Sequence, residues 1–520
     1  MVEKFEFDGK LKKNLFIMMG VGLLGLIWAF FANGVHDNHS RFWSNILLNT
    51  YYFTGMGIFG IFFASANQLG YSGWITLVKR VYMSLSGFVV IGAVFAAIIV
   101  GGVWANYHNL YAHWSLAENM KELPNVKQTF FAKPFWTARV VIYFTLWILV
   151  GKAVINAINA KNIGDQKVYK RSKLMAALWI VIFAVSESFV SWDMVMSQDP
   201  HWYSTLFGWY NFASYGCGGF AMAILLVIFL KSRGYLQQVN ENHIHDMGKY
   251  MFAFSIFWTY LWFSQFMLQW YANIPEDTNY WVKRFDVPLF KVTIFLSLTI
   301  NFLAPLLLFI TKGAKRNLKV AAFISVLVIF GHYVDFFNMT MFEPNLIPAG
   351  TEACCTKGEG KEGEKKEAAA ESTATVLYAQ ADAGTAKGTV GKTVVTPEKG
   401  STDANTAEGQ SSNEAAAQTE GEAKETKAEE GKSETKACCA GMGKGECKEH
   451  MAECKEGKEG EEACCGLQTK ASLGLPELLT FVGFLGMFLY MFFNEFSKDS
   501  TFNENDPYLK ESLRHHVEYA

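Results

Sequence analysis

Proline and cysteine are scarce in most of this 520-residue chain. It has 11 prolines, and only one of its nine cysteines, Cys217, lies outside a polar stretch at about residues 349–472. No C-x-x-C-H motif and no ferredoxin-type cysteine run occurs, which argues against haem c and iron–sulfur clusters on this chain. A nucleotide-binding glycine loop and the pattern of a soluble catalytic triad are absent too. We therefore expect that this chain binds no redox cofactor.

The net charge is also small. Lysine and arginine total 46 against 48 acidic residues, which gives a formal net charge of −2 at pH 7. Because this balance offers no basic surface for nucleic acid, we expect no nucleic-acid partner. A cleavable signal peptide is not expected either, since charged residues 1–13 lead into an apolar run that is too long for one.

Hydrophobic residues, by contrast, make up 51% of the chain, and aromatic residues make up 15%. Apolar windows of about 20 residues, the length that crosses a bilayer, recur along the sequence. This pattern predicts an all-α integral membrane protein with ten transmembrane helices in the lipid bilayer. The windows lie near residues 14–33, 42–65, 81–104, 135–157, 174–197, 204–230, 250–273, 287–311, 318–341 and 474–494.

Lysine and arginine fall mostly on one set of alternating connections between these windows. Basic residues of this kind stay on the cytoplasmic side of a membrane. The bias therefore predicts that both termini are cytoplasmic, which an even number of spans satisfies.

The second and sixth windows resemble each other. The same shift aligns Trp43 with Trp202 and Tyr51 with Tyr210. Because this shift spans four windows, the two copies would point the same way through the membrane. We infer two parallel four-helix bundles, windows two to five and six to nine, with the first and last spans flanking them. Chance similarity between aromatic-rich helices is the alternative.

Five regions follow from this division. A cytoplasmic N-terminus and the first span occupy residues 1–41, and the two bundles occupy 42–197 and 198–348. The last span and a cytoplasmic tail occupy 473–520. Residues 349–472 are rich in Lys, Glu, Ala, Gly and Thr, so they cannot bury a core and are predicted to form a disordered periplasmic insert.

This insert contains eight of the nine cysteines. Their spacing matches neither a zinc finger nor a haem motif. Soft-metal binding, disulfides in an oxidising space and cysteines without a role are the alternatives. The candidates for soft-metal binding are Cys438, Cys439, Cys447, Cys454, Cys464 and Cys465.

Ionisable residues inside the apolar windows are the main functional candidates, because a charge at membrane depth is costly and by default marks a functional site. Glu187 and Asp193 lie in the fifth window, while His332 and Asp335 lie three residues apart on one face of the ninth. Carboxylate and imidazole groups at graded depth predict a proton path. The alternative is that a neighbouring helix satisfies each acid for packing alone.

Neither Glu187 nor Asp335 has a basic neighbour one turn away on its own helix. Each acid must therefore take up a proton or pair with another helix. The cations available for such a pair are Arg139 in the fourth window and Lys291 in the eighth.

The first window and the connection after it contain two further features. Two histidines flank an aspartate, at His36, Asp37 and His39, on the predicted outer surface. This polar cluster suits metal binding or proton relay, and simple solvation is the alternative. The window itself carries small residues that allow close helix contact, at Gly20, Gly22 and Gly25.

The ten-helix plan, the segment S-W-D-M-V-M-S-Q-D-P-H-W-Y-S-T and the terminal N-D-P-Y-L-K-E-S-L together resemble a known family. It is the family of membrane subunits that includes the F subunit of bacterial alternative complex III, a quinol:cytochrome c oxidoreductase. The family is related to the membrane anchor of polysulfide reductase. The resemblance covers nearly the whole chain except residues 349–472.

This resemblance implies a location in the bacterial inner membrane and a set of partner subunits. They are a paralogous C subunit, an iron–sulfur subunit and haem c subunits, often with a terminal oxidase. Haem c and iron–sulfur clusters would then belong to the partners.

Three functions are compatible with these features. The first is a non-redox subunit that gives a scaffold and a proton path. The second is a quinone-binding subunit that oxidises menaquinol with an iron–sulfur partner. The third is a secondary transporter, although few Gly or Pro breaks occur within the spans. We favour the first, because windows two and three contain no Asp, Glu or His that could accept a proton from quinol.

Overall fold

Ten long apolar helices dominate the computed structural model, which describes residues 4–32, 39–347 and 468–515. Each is long and apolar enough to cross a membrane, which confirms the predicted fold class of a multi-pass, all-α membrane protein. The spans are α1 (Gly9–Ala32), α2 (Ser40–Leu69), α3 (Lys79–Trp104), α4 (Lys133–Ile158), α5 (Gln166–Gln198), α6 (Leu206–Ser232), α7 (Glu241–Ala272), α8 (Pro288–Leu308), α9 (Leu318–Thr340) and α10 (Leu475–Phe496).

Three spans depart locally from α-helical geometry. A 3₁₀ turn at Leu85–Phe88 interrupts α3, and a 3₁₀ turn at Met196–Gln198 ends α5 after Met194. In α8, a π-helical turn at Thr299–Leu303 precedes Pro305. Proline cannot donate a backbone hydrogen bond and its ring crowds the preceding turn, so the wider turn accommodates Pro305.

Short elements connect the spans. The connection after α3 folds into three short helices. A two-residue strand β1 (Leu346–Ile347) pairs antiparallel with β2 (Gln468–Thr469), which brings residues on either side of 348–467 together. The short helices are Trp74–Leu77, Ala112–Ser115, Ala117–Met120, Asn125–Phe130, Pro275–Asp286, Lys312–Arg316, Glu343–Asn345 and Leu509–Leu513.

The two spans related by the sequence repeat lie at the centre. α2 and α6 are the most enclosed, with 94% and 83% of their apolar windows buried, and they pack against each other. α2 also contacts α3 and α5, while α6 also contacts α7 and α9. The division into two parallel four-helix bundles stays an interpretation of this packing.

Contacts between connections define two faces of the helical body. On one face, which we call the basic face, Lys79 pairs with Asp506 at 2.7 Å, and the Asn240 amide donates to the carbonyl of His515 at 2.8 Å. On the other, which we call the opposite face, the Gln198 amide donates to the carbonyl of Thr340 at 3.2 Å. The basic face comprises connections 70–78, 159–165, 233–240 and 309–317, and the opposite face comprises 105–132, 199–205, 273–287 and 341–347.

α1 packs along α10 through small residues. A Cβ atom on Gly22 would overlap the backbone of Gly483, and one on Gly25 would lie 2.7 Å from the Leu479 Cβ. By contrast, a Cβ on Gly20 would meet nothing within 4 Å. Two of the three glycines in the first window thus lie in the close helix contact that the sequence predicts.

Candidate functional site

Asp335 lies near the end of α9 at the opposite face and is 2% exposed. Three donors from other spans bind its carboxyl group. The hydroxyl of Tyr210 donates to Oδ1, while the Ser214 hydroxyl and the Trp258 indole N–H donate to Oδ2 at 2.7 and 2.9 Å. This arrangement holds a carboxyl group in the membrane body by neutral donors from α6 and α7.

His332 belongs to the same cluster. Its Nδ1 lies 2.9 Å from the Ser214 hydroxyl, which therefore links the imidazole to Asp335. The Nε2 atom is buried and has no hydrogen-bond partner among the described residues. Because a hydroxyl group can donate and accept at once, Ser214 is suited to pass a proton between the two.

Arg139, one of the two predicted cation partners, binds Asp193 and not Glu187. Its guanidinium donates to both carboxylate oxygens at 2.7 and 2.9 Å, and the Tyr143 hydroxyl adds a bond at 3.0 Å. A bidentate pair of this kind is geometrically specific. The structure thus favours a structural role for Asp193 over the proton-path role that we predicted for it.

Lys291, the other predicted cation, is exposed. It forms no ion pair with any residue in the described ranges. Asp335 therefore has only the neutral donors described above, at least among residues 4–32, 39–347 and 468–515.

Glu187 lies on α5 and is 4% exposed. The Ser188 hydroxyl donates to its Oε2 at 3.4 Å, while Oε1 has no partner in the described part of the chain. Tyr51 and Tyr215 lie close enough to interact electrostatically with its carboxyl group. Their hydroxyl groups also lack partners among the described residues, so polar groups gather around this acid as they do around Asp335.

A small cavity lies beside Tyr51 and Tyr215, and the hydroxyl-bearing Thr50 and Thr54 also line it. It has a volume of about 10 Å³, close to the least that holds one water molecule. A second cavity of about 20 Å³ lies beside Asp335. Its polar lining residues are Tyr210, Gln265, Tyr280, Arg284, Ser297 and Asn338.

The sequence repeat extends to these two acids. Tyr51 on α2 lies near Glu187, and its counterpart Tyr210 on α6 binds Asp335. Each central span thus presents one tyrosine to the acid on a neighbouring span. The sequence aligned the tyrosines, but their contacts with the acids depend on helix packing.

The predicted polar cluster after the first span and the predicted cysteine site lie mostly outside the described residues. His36, Asp37 and the six cysteine candidates for metal binding lie outside the described residues. His39 is described, and its ring stacks on Phe30 while its Nδ1 lies 2.8 Å from the Phe30 carbonyl. Among the described residues, no group of three or more His, Cys, Asp or Glu side chains could hold a metal ion.

Sequence reasoning missed a second group of charges on the opposite face. Asp199 follows α5, Glu343 follows α9, and Lys283 and Arg284 come from the short helix Pro275–Asp286. No sequence signal links these residues, because they come from three separate connections.

Comparison of the sequence with protein-family models gives no match, and comparison with curated proteins gives none. The family resemblance based on the sequence motifs therefore stays a prediction.

Proposed function

We propose that this chain is a non-redox membrane subunit of a quinol:cytochrome c oxidoreductase of the alternative complex III type, in which it acts as a scaffold and conducts protons. The observation that carries the proton path is Asp335, a membrane-buried carboxyl group held by Tyr210, Ser214 and Trp258. Intramembrane acids without a paired cation are costly to keep and characterise proton relays.

The polar groups around Asp335 favour proton transfer over a purely structural role. Tyr210 and Ser214 carry hydroxyl groups, which can both donate and accept, and His332 is a further proton carrier within reach of Ser214. A structural carboxylate would be better served by a bidentate arginine, as Asp193 is by Arg139. The cavity beside Asp335 adds room for a water molecule.

The motif resemblance and the missing cysteine motifs support a place in a larger redox complex. Electron transfer would belong to the partners, namely an iron–sulfur subunit, haem c subunits and the paralogous C subunit, often with a terminal oxidase. The positive-inside bias supports an orientation in the bacterial inner membrane with the basic face towards the cytoplasm. The acids and the opposite-face charges would then lie towards the periplasm.

The size of the two small cavities described above favours protons over a quinone head group as the cargo. The cavity beside Tyr51 and Tyr215 measures about 10 Å³ and the cavity beside Asp335 about 20 Å³, enough for about one water molecule each. A larger groove of about 600 Å³ lies between α1, α6, α9 and α10. Its lining is apolar except for Asn14, so it offers no acid or imidazole to accept a proton from quinol.

Purification of the tagged chain from its native membrane in mild detergent tests this assignment. We expect haem c and iron–sulfur subunits to co-elute with it and quinol:cytochrome c activity to accompany them. Elution of the chain alone, with no redox subunit at any detergent concentration that keeps it folded, would instead favour the secondary transporter. A quinone that co-purifies in stoichiometric amount and is lost on substitution of Glu187 would favour the quinone-binding alternative.

A further inference from the structure

We propose that Asp199 and Glu343 form a carboxyl pair that shares one proton and acts as the port of the path on the opposite face. The inference rests on the proposed proton path, of which it names the surface end. The ligand of this site is the proton itself, exchanged with water outside the membrane.

The two acids lie just beyond the ends of two neighbouring spans. Asp199 directly follows α5, and Glu343 begins a 3₁₀ turn just after α9, so each continues a span that carries a membrane acid. The hydrogen bond from Gln198 to the Thr340 carbonyl holds these ends together. The carboxyl group of Asp199 lies close enough to that of Glu343 to interact with it electrostatically, and two neighbouring carboxyl groups disfavour ionisation of both at once.

Both carboxyl groups are withdrawn from water. Asp199 is 8% exposed, and the side chain of Glu343 is 6% exposed. The Oε1 atom of Glu343 has no hydrogen-bond partner among the described residues and lies 4.0 Å from the Arg284 guanidinium. A buried acceptor without a partner is rare and points to a bound water or a functional role.

Charged groups from every neighbouring element face this pair. Positive charges come from the helix Pro275–Asp286, and histidines come from the connections after α3 and after α5. Lys127 also lies near, since its ammonium donates to the Pro200 carbonyl at 2.6 Å. The surrounding titratable and charged residues are Lys283, Arg284, His113, His201, Lys127 and Glu122.

These surroundings shift the pKa values of the two acids in opposite directions. Burial raises the pKa of Glu343 to about 7, and the neighbouring Asp199 charge adds to the rise, although Lys283 and Arg284 oppose it. Burial also raises the pKa of Asp199, but the charges of Lys283, His113 and Arg284 outweigh it and hold that pKa below its usual range. At neutral pH the pair therefore keeps Asp199 ionised and exchanges the proton of Glu343.

Arg284 connects the pair with the membrane site. It is 3% exposed, stacks on the Tyr280 ring at 3.5 Å and lines the cavity that also touches Asp335. Since a guanidinium cannot give up its proton, Arg284 sets the local potential and does not carry protons. The cavity touches Asp335, Tyr280 and Arg284, and the Arg284 guanidinium lies 4.0 Å from Glu343, so the proposed route runs from Asp335 past Tyr280 to Glu343.

Infrared titration of the purified complex tests the pair directly. We expect a carboxylic C=O band that disappears as the pH rises through about 7 and that is missing in Glu343→Gln. Asp199→Asn removes the neighbouring negative charge, so the band should vanish at a lower pH in that variant. A band that is absent from the wild type, or unmoved in Asp199→Asn, would overturn the shared proton.

Proton translocation measures the role of the pair as a port. In liposomes containing the complex, Glu343→Gln should abolish proton translocation and keep uncoupled electron transfer, while the exposed control Glu276→Gln keeps both. Full translocation in Glu343→Gln would refute the port. If Glu343→Gln does not assemble, the shift of the band in Asp199→Asn decides. A shift as predicted, combined with unchanged translocation in Asp335→Asn, would refute the proposed path but leave the shared proton in place.

Discussion

Asp193 and Asp335 are both buried aspartates near the same face, yet their partners differ in kind. Asp193 has a bidentate arginine, whereas Asp335 has two hydroxyl groups and an indole. An arginine keeps a carboxylate ionised, because pairing favours the charged form. Hydroxyl donors leave protonation open, and this difference separates a structural acid from a candidate relay.

The ion pair yields a prediction about stability. Arg139→Gln leaves Asp193 buried without a cation, which should cost about 3–5 kcal/mol in the free energy of unfolding. We expect a lower melting temperature of the purified protein in detergent, measured by tryptophan fluorescence. Lys291→Gln serves as the control, because Lys291 is exposed and should leave the melting temperature unchanged. Equal melting of both variants would contradict a structural role for the pair.

Sequence could identify the buried acids at this scale because each stands out in an apolar window. It could not identify Tyr210, Ser214 and Trp258 as their partners, since those contacts join α6, α7 and α9 across the body. The pairing of Arg139 with Asp193 was missed for the same reason. From the sequence alone, a cation in a span could pair with any of several acids, and only the helix packing decides which.

Among the elements, α1 and α10 show how small residues determine helix contact. Gly22 and Gly483 meet backbone to backbone, and Gly486 packs against Met18. Without the hydrophobic effect between helices in lipid, close packing of this kind is what holds two spans together. The early and late ends of the chain are thereby joined in one helix pair.

Gly22→Leu should separate this pair. The added side chain has no space beside Gly483, and such overpacking costs about 1–3 kcal/mol. We expect a lower melting temperature and loss of a disulfide engineered between facing positions of α1 and α10. Gly20→Leu is the matched control, since nothing lies within 4 Å of a Cβ there. If both variants behave alike, close glycine packing does not stabilise the pair.

The spans themselves were predictable because length and hydropathy decide them. The second window covers residues 42–65, whereas the helix runs Ser40–Leu69. An apolar window thus misses the polar residues at the ends of a helix. Pro305 is compatible with a distortion of α8, but the sequence does not give the form of that distortion, a π-helical turn. The short helices on the opposite face were not predicted, because residues 112–130 lack a periodicity that distinguishes them from a loop.

At the scale of the whole molecule, the sequence predicts ten spans. Only the structure shows that the two spans related by the repeat lie at the centre. α2 and α6 lie side by side with their tyrosines directed towards acids on α5 and α9. Hydropathy could not show this, since it orders helices along the chain and not around one another.

The most direct measurement of the central claim is proton translocation by the Asp335→Asn complex. The purified complex is placed in liposomes, and electron transfer from quinol to cytochrome c is measured with and without an uncoupler. We predict that uncoupled electron transfer persists while proton translocation falls to background. The asparagine oxygen can still accept from Ser214 and Trp258, and its NH2 group can donate to the Tyr210 hydroxyl, but the side chain cannot release a proton. Asp286→Asn, at an exposed site on the same face, should keep both activities. Undiminished proton translocation in Asp335→Asn would contradict the account.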